Sequence, residues 1–388
     1  MTVKEKDSKY IAHSYGRFDL QIVSGKGSLC YDENGKEYID LGGGIAVNVF
    51  GFSDDEWTAA VKAQLDLFQH TSNLYYTSPC VELAGMLCER TGMKKVFFSN
   101  SGAEANECAI KAARRHAFKK YGDESHSAII TLKNSFHGRT VTTLSATGQD
   151  VFHTEFGPFT NGFIYAEPND TEGMKKLIDE NDCAAVMMEL VLGEGGVMPL
   201  TEEFVKETVK AAHEKGMLVI IDEVQTGNGR TGSLYAFMQY GIMPDIVSTA
   251  KGLGGGLPIG ATMLGAGCED VYTPGSHGST FGGNPVCSAG AINVIKRIDD
   301  ALLLGVKERS EYIVNALKGA KGVKDISGKG LMLGILCERP AKEVIKGCME
   351  NGVLVISAKD RVRLLPALNI PMDILKKAIE ILKEELAK

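Results

Sequence analysis

The sequence predicts an α/β fold, with a large domain built on a mainly parallel sheet with helices on both faces, and a smaller α/β domain. Three observations predict it. Short apolar runs alternate with longer stretches of helical periodicity, the pattern of parallel strands joined by crossover helices. The residues with most chemistry to offer fall just after those runs, at the strand ends where open α/β sheets bind ligands. A chain of 388 residues, 44% hydrophobic and 23% charged, can bury a large core and more than one domain.

Along the chain, residues 27–42 read as a hairpin turning at Asn34-Gly35. Residues 1–45 are expected to pack with the small domain, and 46–285 to form the large one. Val96–Ser99 reads as a buried strand, since Val and Phe suit a pleated surface. A helix follows over Ala103–Lys119. Four further strands are expected over Ala128–Thr131, Ala184–Glu189, Leu218–Ile221 and Asp245–Ala250, with a helix over Glu202–Lys215 between two of them. Residues 286–388 read as the small domain: a helix from about Ser288 to Leu304, apolar runs opening at Leu331, Val353 and Val362, and a closing helix, Met372–Ala387.

Composition excludes several classes of function. A formal charge of -7 lacks the basic footprint of a nucleic-acid binder. No run approaches the apolar length of a membrane-spanning helix, and the polar opening Met1–Tyr10 does not read as a secretory signal. Nine scattered cysteines, an odd number with no C-x-x-C pair, are the usage of a reducing cytoplasm. The eight histidines show no H-E-x-x-H spacing, so no metal is expected. Neither the dinucleotide nor the Walker glycine pattern occurs.

The most informative residue is Lys251, between the apolar run Asp245–Ala250 and a glycine cluster. Asp222 ends the run Leu218–Ile221. An amine and a carboxylate, each at a strand end, suit a pyridine-aldehyde cofactor: the amine holds the aldehyde and the carboxylate keeps the ring nitrogen protonated. A solvated lysine after a strand is the plain alternative. Ser101, Gly102 and Ala103 join a strand to a helix, where free amides make an anion site. The same residues read as an ordinary N-cap, with Glu104 completing a capping box. Phe136 could stack on a flat ring and Arg139 grip a carboxylate; a core Phe and a surface Arg would look the same. Glu194 lies in a glycine loop. Ser276–Pro285, with Ser279 and Thr280, is apt for phosphate or is simply a polar loop. Arg361 and Arg363 share one face of a strand, usually a solvated edge.

Together, eight segments resemble the class III (ornithine-type) aminotransferases that use pyridoxal phosphate. They begin Gly44-Ile-Ala-Val-Asn, Thr71-Ser-Asn-Leu-Tyr-Tyr, Phe97-Phe-Ser-Asn-Ser-Gly, Phe136-His-Gly-Arg, Gly193-Glu-Gly-Gly, Ile221-Asp-Glu-Val-Gln, Ala250-Lys-Gly-Leu-Gly and His277-Gly-Ser-Thr. The resemblance implies a fold-type I enzyme acting as a homodimer with shared active sites. By the same resemblance, Lys251 holds the cofactor and Asp222 pairs with its ring nitrogen. Phe136 and Val224 flank the ring, and Gln225 reaches its phenolic oxygen. Ser101, Gly102 and Ala103 take the phosphate, helped by Thr280 of the other subunit. Arg139 and Ser279 are implied to contact the substrate, and Arg363 to bind the α-carboxylate of glutamate. Glu194 neutralises that arginine when a diamine-type donor is bound. The implied reaction passes the terminal amine of N2-acetyl-L-ornithine to 2-oxoglutarate, a step of arginine biosynthesis. Sister donors, an isomerase or decarboxylase on the same scaffold, and a non-catalytic binding protein stand as alternatives. The chain departs from the family at Gly51–Trp57, where a Gly-His-x-His-Pro run is common, and at Leu365-Pro-Ala367, where a double proline is common.

Overall fold

The computed structural model describes residues 1–388. Seven strands form its central sheet, in the order Lys95–Ser99, Gly260–Leu264, Ile246–Thr249, Leu218–Asp222, Cys183–Met188, Ala128–Leu132, Phe163–Ala166. Neighbours are parallel except around Gly260–Leu264, which runs antiparallel to both of its partners. The expected mainly parallel sheet is therefore present. Cys183–Met188 and Leu218–Asp222 are buried at every position, because a central parallel strand is covered on both faces.

Helix Gly102–Tyr121 begins at Ser101, whose hydroxyl accepts from the Glu104 amide at 3.2 Å. Glu104 reaches back one residue further than a capping box requires: its carboxylate accepts from the Asn100 amide at 2.9 Å. The helix stops at Gly122, left-handed at φ 88°, a conformation that costs glycine nothing. Helix Glu202–Glu214 starts on a Thr201 cap and buries Phe204, Val205, Thr208, Val209 and Ala212, the spacing of one apolar stripe.

Two four-stranded sheets and a two-stranded ribbon, Val191–Leu192 with Met198–Pro199, lie outside the central one. Ile22–Lys26, Leu29–Asp32 and Glu37–Asp40 form a meander, and Val353–Leu354 adds to it in parallel, pairing Val353 with Ile39. The hairpin turn is longer than the two-residue Asn34-Gly35 expectation. The Asp32 amide donates to Lys36 O at 3.1 Å, Gly35 alone is left-handed, and Asp32 Oδ1 accepts from the Asn34 and Lys36 amides. That is a three-residue loop with glycine at its bulge position. The other sheet is antiparallel, ordered Val323–Lys329, Met332–Cys337, Arg361–Leu364, Ile356–Ala358.

Two expectations need correction here. The helix expected over Ser288–Leu304 is two, Pro285–Arg297 and Asp300–Leu317. Asp299 breaks it by accepting from the Leu302 amide at 2.8 Å, capping the second helix. Arg361 and Arg363 do not line a solvated edge: their strand is paired on both sides and both residues are buried. No helix is long and apolar enough to cross a membrane.

Ile220, fully buried in the strand that ends at Asp222, has little room to relax around a void. Ile220→Ala is predicted to lower stability by about 2–5 kcal/mol, read from the urea midpoint; a loss below about 1 kcal/mol would show that this layer is loosely packed.

Candidate active site

Five strands of the central sheet, Lys95–Ser99, Ala128–Leu132, Cys183–Met188, Leu218–Asp222 and Ile246–Thr249, deliver their carboxyl ends to the same place. A cavity of about 260 Å³ lies there, lined by Gly102, Ala103, Phe136, Arg139, Asp222, Val224, Gln225 and Lys251 among the residues singled out from sequence. Asn106, His137, Gly138 and Glu189 complete it.

Asp222 is 3% exposed and fully engaged. Its Oδ1 accepts from the Val224 amide at 3.0 Å, and its Oδ2 from Asn106 Nδ2 at 2.7 Å and His137 Nδ1 at 2.8 Å. Asn106 also donates to His137 O at 2.7 Å and accepts from Ser248 Oγ at 2.5 Å. These three donors replace the hydration that burial takes from the carboxylate oxygens. Glu189 behaves differently. Burial, then the nearby Asp222 charge, pushes its carboxyl well above the ordinary range, although the Phe136 amide donates to it at 2.8 Å.

Lys251 is partly buried, and desolvation lowers its amine from the ordinary lysine value, against the opposing pull of Glu194. A lysine so placed gains neutral amine, the form that attacks a carbonyl. Small residues open the start of helix Gly102–Tyr121. A Cβ on Gly102 would stand 2.6 Å from Val224 Cγ1, so only glycine lets this helix start lie against Val224. Ser101 spends its hydroxyl on the Glu104 cap and does not line the cavity.

Arg363 is 4% exposed at its side chain and reaches the same region from the small antiparallel sheet. Its Nη1 donates to Glu194 Oε1 at 2.6 Å and to Gln225 Oε1 at 3.0 Å, and its Nη2 to Glu194 Oε2 at 3.3 Å. Burial alone would raise the Glu194 carboxyl; Arg363 holds it below the ordinary value instead. Arg139 stands at the exposed rim, its guanidinium 4.0 Å from the Phe152 ring centroid, with no carboxylate partner. Ser279 and Thr280 lie outside the cavity of a single chain. Ser279 Oγ accepts from Asn100 Nδ2 at 3.2 Å and the Gly282 amide at 3.0 Å, and Thr280 is exposed.

Asn106, His137 and Glu189 were not anticipated. Each carried a signal: Asn106 is one helical turn beyond Gly102, His137 follows Phe136, and Glu189 ends its strand as Asp222 ends the next.

The sequence profile of class-III aminotransferases matches residues 10–386. The chain belongs to that family. This aminotransferase is 44% identical over 388 residues to the acetylornithine aminotransferase of Haemophilus ducreyi, covering 100% of this chain and 98% of that one. It is 43% identical to the acetylornithine aminotransferase of Bacillus subtilis over 380 residues, 96% of this chain and 97% of that one. Among solved structures, N-acetylornithine aminotransferase from Stenotrophomonas maltophilia is similar at TM-score 0.85 and 31% identity, covering 99% and 98%. The ornithine aminotransferase of Toxoplasma gondii is similar at TM-score 0.94 and 30% identity, covering 99% and 93%. Class-III aminotransferases work with pyridoxal phosphate, and this cavity fits it. A lysine amine, a buried and hydrogen-bonded carboxylate, an aromatic wall and a glycine-opened helix start are the donor set that cofactor needs.

Beside the site, burial raises the Glu223 carboxyl to about 7, with Asp222 adding to the rise. The native chain therefore holds a proton that the unfolded chain releases from about pH 4.5 upward. Its stabilising effect is complete below that pH and is lost as pH rises to about 7, on the order of 3 kcal/mol at ~1.4 kcal/mol per unit. Glu223→Gln is predicted to remove this slope, seen as the difference between wild-type and variant urea midpoints from pH 5 to 8. A constant difference would mean that Glu223 is ionised in the native protein.

Proposed function

We propose that this class-III aminotransferase moves the δ-amine of N2-acetyl-L-ornithine to 2-oxoglutarate, giving N-acetyl-L-glutamate 5-semialdehyde and L-glutamate, a step of arginine biosynthesis. The observation that carries the donor assignment is the Glu194–Arg363 pair. Glutamate and 2-oxoglutarate bring two carboxylates, whereas the acylated diamine brings one. A buried arginine left without a partner in the second case is costly. Glu194 supplies that partner, and swings aside when a second carboxylate arrives. The relatives' names support the same donor.

Roles follow from position. Pyridoxal phosphate supplies an aldehyde and a ring that accepts electrons. With the cofactor bound, Lys251 would hold its aldehyde and, as a free amine, would carry the proton from the donor Cδ. Asp222, fixed by Asn106 and His137, keeps the ring nitrogen protonated. Phe136 and Val224 would flank the ring, Gln225 would reach its phenolic oxygen, and the Ser101–Ala103 turn would take the phosphate. Arg139 and Ser279 orient the substrate carboxylate, and Arg363 takes the α-carboxylate of glutamate. The two half-reactions alternate on one site.

The enzyme is proposed to be a cytoplasmic homodimer, with Thr280 completing the phosphate site of the partner subunit. Exposed Leu74, Tyr75, Tyr76 and Phe281, three of them in the segment before helix Ser78–Thr91 and one beside Thr280, support a covered face. Nine free cysteines support a reducing compartment.

The test compares kcat/KM for N2-acetyl-L-ornithine, ornithine, succinylornithine and 4-aminobutyrate with 2-oxoglutarate, and the rate constant over Kd for glutamate and for acetylornithine in the isolated half-reaction, in wild type and Glu194→Ala. Acetylornithine is expected to lead in wild type. The variant is expected to shift the glutamate-to-acetylornithine ratio toward glutamate by about tenfold or more, since each tenfold is only ~1.4 kcal/mol. Preference for another donor, or an unchanged ratio, would overturn the donor assignment or the switch respectively.

A further inference from the structure

Lys251 has a left-handed backbone, φ 45°, although it is not a glycine. Such a conformation is sparsely populated by ordinary residues and persists where its surroundings over-determine it. Two side chains grip the backbone on either side. Before Lys251, Asn228 Nδ2 donates to Thr249 Oγ1 at 3.1 Å and to Ala250 O at 3.2 Å. After it, Trp57 Nε1 donates to Gly254 O at 3.1 Å, at the last residue of the 3-10 turn Lys251–Gly254.

The indole also lies against the glycines that follow. A Cβ on Gly255 would stand 2.8 Å from Trp57 Nε1, and one on Gly290 would stand 3.0 Å from it. Trp57 is itself fixed. It lies in the first turn of helix Asp55–Leu65, where its amide donates to Asp54 Oδ1 at 3.0 Å. Asp54 in turn accepts from Arg297 Nη1 at 2.5 Å and Nη2 at 3.0 Å. This anchor falls in Gly51–Trp57, the segment where the chain departs from the family pattern.

We propose that Trp57 is a positioning residue for Lys251: its indole N–H, through Gly254 O, holds the turn that keeps Lys251 left-handed with its amine in the cavity. This rests on the reading that Lys251 carries the cofactor. A tryptophan that only fills space would give the same packing but would have no need of its N–H.

The decisive variant is Trp57→Phe, which keeps an aromatic ring and removes the donor. Cofactor-loaded wild type and variant are compared in three readouts. Release of pyridoxal phosphate into cofactor-free buffer is expected to quicken by roughly three- to tenfold, the scale of one net hydrogen bond. The pH at which the visible absorption band of the lysine-held cofactor titrates is expected to move. Turnover, kcat, is expected to fall by about the same factor, with KM held within about twofold. If all three match wild type and only thermal stability drops, Trp57 is packing alone and the inference is overturned. Trp57 is the only tryptophan of the chain, so if the Phe variant fails to fold, supplying benzothienylalanine in place of tryptophan removes the N–H while keeping the bicyclic shape, with the same expected and contrary results. If wild type takes up no pyridoxal phosphate, or Lys251→Ala retains the visible band, the cofactor reading fails instead.

Discussion

One buried carboxylate sets the terms for the rest of the site. At 3% exposure the oxygens of Asp222 need partners within the protein, and donors reach them from three separate segments. Asn106 comes from the helix after Lys95–Ser99, His137 from the loop after Ala128–Leu132, and the Val224 amide from its own strand end. Meeting that one demand fixes where three strands must end relative to one another. The pairing of Asp222 with Ser248 brings Ser248 Oγ to Asn106, so the sheet register and the hydrogen-bond network are a single constraint. Shift one strand by a residue and the carboxylate loses a donor, which is costly for a buried charge.

A second constraint comes from a distant part of the chain. Arg363 stands on the small antiparallel sheet, yet its guanidinium lies between Glu194 and Gln225 at the cavity. Gln225 thus touches the arginine while its neighbour Val224 braces Asp222 through its amide. Arg363 and Asp222 are thus linked through the neighbours Gln225 and Val224. Any substrate that draws Arg363 away from Glu194 must also leave Gln225 without that donor.

Much of this was legible in the sequence, for reasons of local chemistry. Strands over residues 128–131 and 218–221 show as unbroken apolar runs because both of their faces are covered, and the acid or amine just after a run is then at a ligand-facing end. Phe163–Ala166 and Gly260–Leu264 were not read as strands. The first is only four residues long. The second opens with a glycine, as close approach to Ser101 O demands, and sits inside a glycine-rich tract that reads as loop. Nothing local announces that it runs antiparallel. Burial of Arg361 and Arg363 was hidden for another reason: their partners, Asp325 and Glu194, are remote in sequence. Asn106 and His137 were passed over because a polar residue on a helix face or beside a glycine has many ordinary explanations until the carboxylate it meets is known.

The most direct measurement is the absorption spectrum of cofactor-loaded protein given N2-acetyl-L-ornithine and no keto acid. If Lys251 and Asp222 perform the first half-reaction on this donor, the visible band gives way to a near-ultraviolet one, and 2-oxoglutarate then restores it. A visible band untouched by acetylornithine but bleached by glutamate would contradict the donor assignment. Failure to take up the cofactor at all would contradict the pairing of Lys251 with Asp222 on which everything else rests.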